Sequence, residues 1–130
     1  MRQSREFEIC KDISLYLRMQ YPTILYHWDY AGLFHTKVQA SMMKSIQLHR
    51  GFPDLFIAEA RHDYFGFFLE IKAEGTKLYK KNFEAATPHI SEQLEFMDIL
   101  RIKGYRCDFG IGWDDCHKKL DEYLRFHRRD

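Results

Sequence analysis

Between Gly51 and Ala73 the chain carries two apolar and aromatic runs on either side of a polar centre at Arg61-His62-Asp63. Two such runs around a short polar turn specify a β-hairpin, and a hairpin folded about Asp63 dictates which residues meet. Positions equidistant from the turn become cross-strand neighbours, which brings Asp54 beside the Glu70-Lys72 end of the second strand. Residues i and i+2 of a strand share a face, so Glu70 and Lys72 emerge together while Ile71 points into the core. Two carboxylates and an ammonium are expected to converge.

The rest of the chain supplies helices and further strands around this hairpin. Ile9, Ile13, Tyr16 and Leu17 recur at helical spacing from Ser4, a candidate N-cap, to Gln20, with Tyr21-Pro22 as the stop. Thr23 to Trp28 is β-branched and aromatic and reads as a short strand, followed by a turn or loop at Asp29 to Gly32. A second helix is expected from about Thr36 to Leu48, with Val38, Met42, Met43 and Ile46 on its inner side. Glu74 to Pro88 carries Lys77, Lys80, Lys81 and Asn82 with little apolar periodicity and reads as a basic loop. Thr87-Pro88 offers an N-cap and a first-turn proline to a third helix with the stripe Ile90, Leu94, Met97 and Leu100, ending at Gly104. Tyr105 to Gly112 reads as a last strand. Asp114 is placed to cap a final helix through about His127, before the basic Arg128-Arg129. The order of elements specifies an α/β fold, read as one domain over residues 1–130.

Composition narrows the class without naming it. The first residues lack the apolar stretch of a signal peptide, and no later segment reaches the ~20 apolar residues of a membrane span, so a cytoplasmic protein with no membrane partner is expected. Cys10, Cys107 and Cys116 are odd in number and form no CxxC pair, which fits reduced thiols better than a disulfide framework. The net charge of +1 falls short of a strongly basic nucleic-acid binder. A site that concentrates carboxylates would nevertheless hold the average near neutral while one rim stays basic.

The chemistry that suits the convergent trio is phosphodiester hydrolysis. A hard cation held by oxygen ligands activates water and neutralises charge on the pentavalent transition state. Asp54 and Glu70 supply those oxygens, the backbone carbonyl of Ile71 could add another, and Lys72 could orient or deprotonate the attacking water and stabilise the phosphate. Singly, a Pro-Asp before a strand is a common turn and a Glu-x-Lys pair is ordinary solvated charge. Their combination across a hairpin of the correct length is what points to this chemistry.

These residues resemble a known family. Gly51-Phe52-Pro53-Asp54-Leu55, then Leu69-Glu70-Ile71-Lys72-Ala73, then Ser91-Glu92-Gln93 at the opening of a helix, look like the VRR-NUC (virus-type replication-repair nuclease) branch of the PD-(D/E)XK superfamily. The resemblance spans about residues 5 to 112. It implies a restriction-endonuclease-like core, a mixed β-sheet of about four strands flanked by helices, together with Mg²⁺, for which Mn²⁺ substitutes, and cleavage of branched or flapped DNA. A first-helix glutamate joins the site in that family. Glu6 and Glu8 compete for the role; Glu6 is preferred because it shares a helical face with Cys10, Ile13 and Leu17, whereas simple pairing with the helix dipole would explain it equally. Gln93 matches the family's glutamine, which could hydrogen-bond the lysine or the water on the metal. The family commonly has Ser-Pro-x-Gln here, and this chain departs from that pattern.

Other polar residues carry weaker signals. Lys77, Lys80 and Lys81 could line a DNA path, with Tyr79 available to stack on a base, although a solubilising loop would look the same. His27 and His35 could contact phosphate. Cys107, Cys116, His117 and His127 lack zinc-ligand spacing. Phe65, Phe67, Phe68, Phe96 and Phe109 are expected in the core. The expectation is an Mg²⁺-dependent endonuclease for structured DNA such as four-way junctions. It would act as a homodimer or higher oligomer, because so short a chain offers limited surface to a branched duplex and two-fold symmetry matches a junction, and it needs no small-molecule cofactor. The alternatives are a restriction- or repair-type nuclease acting on duplex or single-stranded ends, and a non-catalytic binding module on the same scaffold.

Overall fold

The computed structural model describes residues 4–29, 36–48 and 51–125. Its elements are α1 (Arg5–Gln20), β1 (Tyr26–Trp28), α2 (Lys37–Ile46), β2 (Leu55–Ile57), β3 (Phe67–Lys72), α3 (Pro88–Ile102), β4 (Arg106–Ile111) and α4 (Gly112–Leu124). The strands form one mixed sheet in the order β1-β2-β3-β4, antiparallel between the first three and parallel between β3 and β4. A parallel neighbour requires a crossover, and α3 provides it.

The hairpin centre is as expected. His62 and Asp63 both take left-handed backbone angles (φ 53° and 71°), and Arg61 and Tyr64 exchange backbone hydrogen bonds across them. Positive φ at both central residues is the signature of the two-residue turn whose twist matches that of paired strands. The ladder below it has the register Leu55↔Leu69, Phe56↔Phe68 and Ile57↔Phe67, one residue out of step with the Arg61↔Tyr64 pair, so the β2 arm carries one extra residue between turn and ladder.

Strand alternation divides the core into two layers. Leu55, Ile57, Phe67, Leu69 and Ile71 face α1 and α4, meeting Ile9, Ile13, Leu17, Cys116, Leu120 and Tyr123. Phe68, Cys107 and Phe109 face α3, meeting Ile90, Phe96, Met97 and Leu100. Every residue of β3 is buried, as expected of a strand covered on both faces. Tyr16 and Tyr21 both donate hydrogen bonds of 2.6 Å to Asp121, which clamps α1 to α4. The N-caps foreseen for α1 and α3 are formed: Ser4 accepts from the Phe7 amide and Thr87 from the Ile90 amide.

Several sequence expectations require correction. The first strand contains only Tyr26–Trp28. Helix α2 forms with Thr36 in a capping box, but none of its residues is buried: Val38, Met42 and Ile46 are at least 64% exposed, and Met43 is half-buried. Periodicity marks an apolar face but cannot say whether anything covers it, and no described element packs against α2. Phe65 is exposed and lies over Gly104, where a Cβ would come within 2.5 Å of its ring. Helix α4 begins at Gly112 with Ile111 at the cap position and no side-chain cap; Asp114 falls in the first turn, while Asp115 accepts the Ile111 amide. The loop expected from Asp29 to Gly32, His35, and the end of the last helix with His127 and the basic tail lie wholly or mostly outside the described residues. No helix among the described residues is long and apolar enough to cross a membrane.

Gly110 marks the closest approach of β4 to α4, since a Cβ there would lie 2.4 Å from the Cys116 sulfur. Gly110→Ala is expected to lower stability by ~1–3 kcal/mol through overpacking. Adding Cys116→Ala, which removes the offending atom, is expected to recover part of that loss in urea melts.

Candidate active site

Helices and strands position the site where β2 begins and β3 ends. Of β3, strand β2 pairs with Phe67–Leu69 alone, so the edge of β3 beyond Leu69 is taken up by Asp54 instead. The Asp54 amide donates to Glu70 Oε2 at 3.0 Å, and the Ile71 amide donates to Asp54 Oδ2 at 2.9 Å. The two carboxylates are thereby held side by side by reciprocal bonds from each other's strand. Asp54 is also anchored through its carbonyl, which accepts the Asp29 amide at 2.8 Å.

Lys72 follows on the α3 side of β3, with its ammonium 6.0 Å from the centroid of the Phe109 ring. From α3, Gln93 Nε2 donates to Glu70 Oε1 at 2.6 Å and lies 3.2 Å from His89 Nε2. Gln93 thus touches Glu70 and positions it. Among the described residues the buried polar or charged side chains are Glu70, Lys72 and Gln93. Burial of such groups is costly unless they are paired or serve a ligand, and here all three lie together around Asp54. Gln93 Oε1 is buried without a hydrogen-bond partner.

A cleft of about 770 Å³ opens onto this group, walled by α1 and by the start of α3. Glu6 lines it and its charge is felt by Asp54, whereas Glu8 is not among the lining residues. Glu6 is exposed at the rim, not turned fully inward, because α1 spends its inner face on Ile9, Ile13 and Leu17. No three His, Cys, Asp or Glu side chains among the described residues converge as a metal-binding group. The donors brought together are therefore the two carboxylates, hard oxygen ligands that suit Mg²⁺ or Mn²⁺ and not a soft metal.

Among the cleft residues not singled out in the sequence are His89, Lys11 and Arg18. His89 was visible as the i−4 neighbour of Gln93 on α3. Lys11 and Arg18, seven residues apart on α1, bring positive charge to the opposite wall. Lys77, Lys80 and Lys81 are exposed on the segment between β3 and α3 and do not line the cleft. His27 lies on β1, away from the carboxylates, beside Asp29 and Phe52 in a second groove. Cys107 and Cys116 are buried in different core layers, and His117 pairs with Asp121, so no zinc set is assembled from them.

Burial, reinforced by the charge of Asp54, pushes the Glu70 carboxyl up to about 9, and burial also raises Asp54 despite the Ile71 amide bond. Without a cation, one proton is held between two groups that cannot both ionise cheaply. A carboxyl raised in the fold contributes stability below its ordinary value near 4.5, and that contribution is lost as pH rises through the folded value near 9. In EDTA, wild type is expected to lose stability between these limits relative to Glu70→Gln, which carries no titrating proton. Urea melts at pH 5, 7 and 9 test this; a gap that stays constant with pH would contradict it.

No protein-family model and no curated protein matches this chain. Among solved structures it is similar to a VRR_NUC domain protein at 23% sequence identity, with a TM-score of 0.67, over 100% of this chain and 96% of the other. The four-stranded mixed sheet with its flanking helices is therefore the fold of a VRR_NUC domain protein.

Proposed function

We propose that the protein is a divalent-metal-dependent endonuclease that hydrolyses DNA phosphodiester bonds, acting on branched DNA such as four-way junctions or flaps. The observation that carries this reading is the gathering of Glu70, Lys72 and Gln93, all buried, around Asp54 at the head of an open cleft. A scaffold without catalysis has no physical use for a buried carboxylate beside a half-buried one, which repel unless a proton or a cation lies between them.

Asp54 and Glu70, with the Ile71 carbonyl, would hold Mg²⁺ or Mn²⁺, and Glu6 would add its negative charge from the rim. The cation, when bound, supplies charge neutralisation at the phosphate and acidifies water. Lys72 orients the attacking water, takes or directs its proton, and stabilises charge on the phosphate as the bond to the leaving sugar oxygen breaks. Gln93 fixes Glu70 through its 2.6 Å bond and so positions the carboxylate without touching the reacting atoms. Lys11 and Arg18 on one wall, and Lys77, Lys80 and Lys81 on the segment after β3, provide phosphate contacts.

A near-neutral chain without a base-reading motif recognises its substrate by shape, which favours branched DNA. A homodimer fits a two-fold junction with two strands to cut. The three free cysteines fit a cytoplasmic location.

The test is cleavage of end-labelled four-way junction, flap, duplex and single-stranded DNA by wild type and Lys72→Ala in Mg²⁺, Mn²⁺ or EDTA. Wild type is expected to cut only with metal and to prefer the branched substrates, and Lys72→Ala to cut ~10²–10⁴-fold more slowly while binding DNA comparably and keeping its melting temperature within a few degrees. Preference for free ends would favour the restriction- or repair-type alternative. Metal-independent cleavage, or a Lys72→Ala variant as fast as wild type, would overturn the mechanism.

A further inference from the structure

The segment joining β3 to α3 is a small built ribbon and not an irregular loop. Tyr79 and Ala85 form an antiparallel bridge, the Ala86 amide donates to the Leu78 carbonyl at 2.8 Å, and the Lys80 amide donates to the Glu84 carbonyl at 2.8 Å. Its base is fastened to the α3 layer of the core by Leu78, Ala85 and Ala86. At the tip, the Phe83 amide donates to the Lys80 carbonyl at 3.0 Å, and Asn82 Oδ1 accepts the Glu84 amide. This is a three-residue connection in which a turn is followed by one residue in the left-handed region.

That residue is Phe83, with φ 69°. Glycine satisfies such a position without strain, whereas a bulky side chain there is a true outlier. The aromatic ring gains nothing by packing to offset the strain, because Phe83 is 86% exposed. A strained backbone that presents a large apolar ring to solvent points to a binding role for the ring. Its surroundings say what it binds: Lys77, Lys80 and Lys81 are exposed on the same ribbon, together with the half-exposed ring of Tyr79. Cations that hold a phosphate backbone, combined with an aromatic ring that meets a base face, are the elements of an unpaired-base platform. Both ends of the ribbon root in the site, after Lys72 on one side and before His89 and Gln93 on the other.

We propose that Phe83 stacks on a base face exposed at a strand discontinuity, so that the ribbon selects branched over continuous duplex DNA and anchors the branch point beside the cleft. A continuous duplex exposes no such face, and only the lysines engage it. This inference rests on the nuclease reading above.

The experiment uses Lys72→Ala protein with Mg²⁺, whose slowed cleavage leaves DNA intact over the time of a binding measurement, and compares it with the same protein carrying Phe83→Gly or Phe83→Trp. The probes are a flap and a four-way junction with 2-aminopurine at the branch, and a continuous duplex of the same sequence. The parent is expected to change the 2-aminopurine fluorescence at the branch. Phe83→Gly is expected to bind branched DNA ~10-fold more weakly, to lose that fluorescence change, and to melt at the same temperature as the parent or higher, because glycine relieves the left-handed residue. Phe83→Trp should retain both binding and signal. If Phe83→Gly binds and signals like the parent, the inference is overturned while the nuclease reading stands. If the parent binds no DNA, both fall.

Discussion

The structure depends on the way Asp54 continues the β2–β3 ladder with its side chain. Where β2 stops, the Ile71 amide would be left without a strand partner, and the Asp54 carboxylate takes it at 2.9 Å; in return the Asp54 amide is taken by Glu70. Main-chain donors in a sheet must be satisfied, so the bonds that complete the fold also set the two carboxylates side by side. The fold and the site are built from the same two hydrogen bonds.

The cost of that arrangement is visible in the electrostatics. Strand β3 is covered on both faces, and a strand so covered is expected to be apolar throughout, yet it carries Glu70 and Lys72. Glu70 is held well above the ordinary carboxylate range by burial and by its neighbour. Such an arrangement is retained where a proton or a cation resides between the groups as part of the chemistry. The rest of the structure supports this point: α1 and α4 close one face, α3 brings Gln93 to Glu70, and the cleft gives access from outside.

The hairpin and the convergence of Asp54, Glu70 and Lys72 were legible in the sequence because both follow from local rules, a turn between two apolar runs and the two-residue period of a strand. The same period placed Ile71 inside. What depended on distant packing was not legible. The apolar stripe of α2 has helical period but no cover, and Phe65 sits in an aromatic run yet rests on the surface over Gly104. Glu6 was separated from Glu8 by helical phase, but its place on the rim follows from how α1 settles on the sheet. The basic segment was read from composition, whereas its ribbon depends on backbone hydrogen bonds and on a left-handed phenylalanine that no residue-type rule anticipates.

On the proposed function, the Asp54–Glu70 pair exchanges its proton for a divalent cation. Isothermal titration of metal-free protein with Mn²⁺ at pH 7, repeated in buffers of different ionisation enthalpy, measures that exchange directly. Saturable binding with about one proton released per ion bound is expected, as is loss of both binding and proton release in Asp54→Asn. Binding without proton release, or binding undiminished in Asp54→Asn, would contradict it.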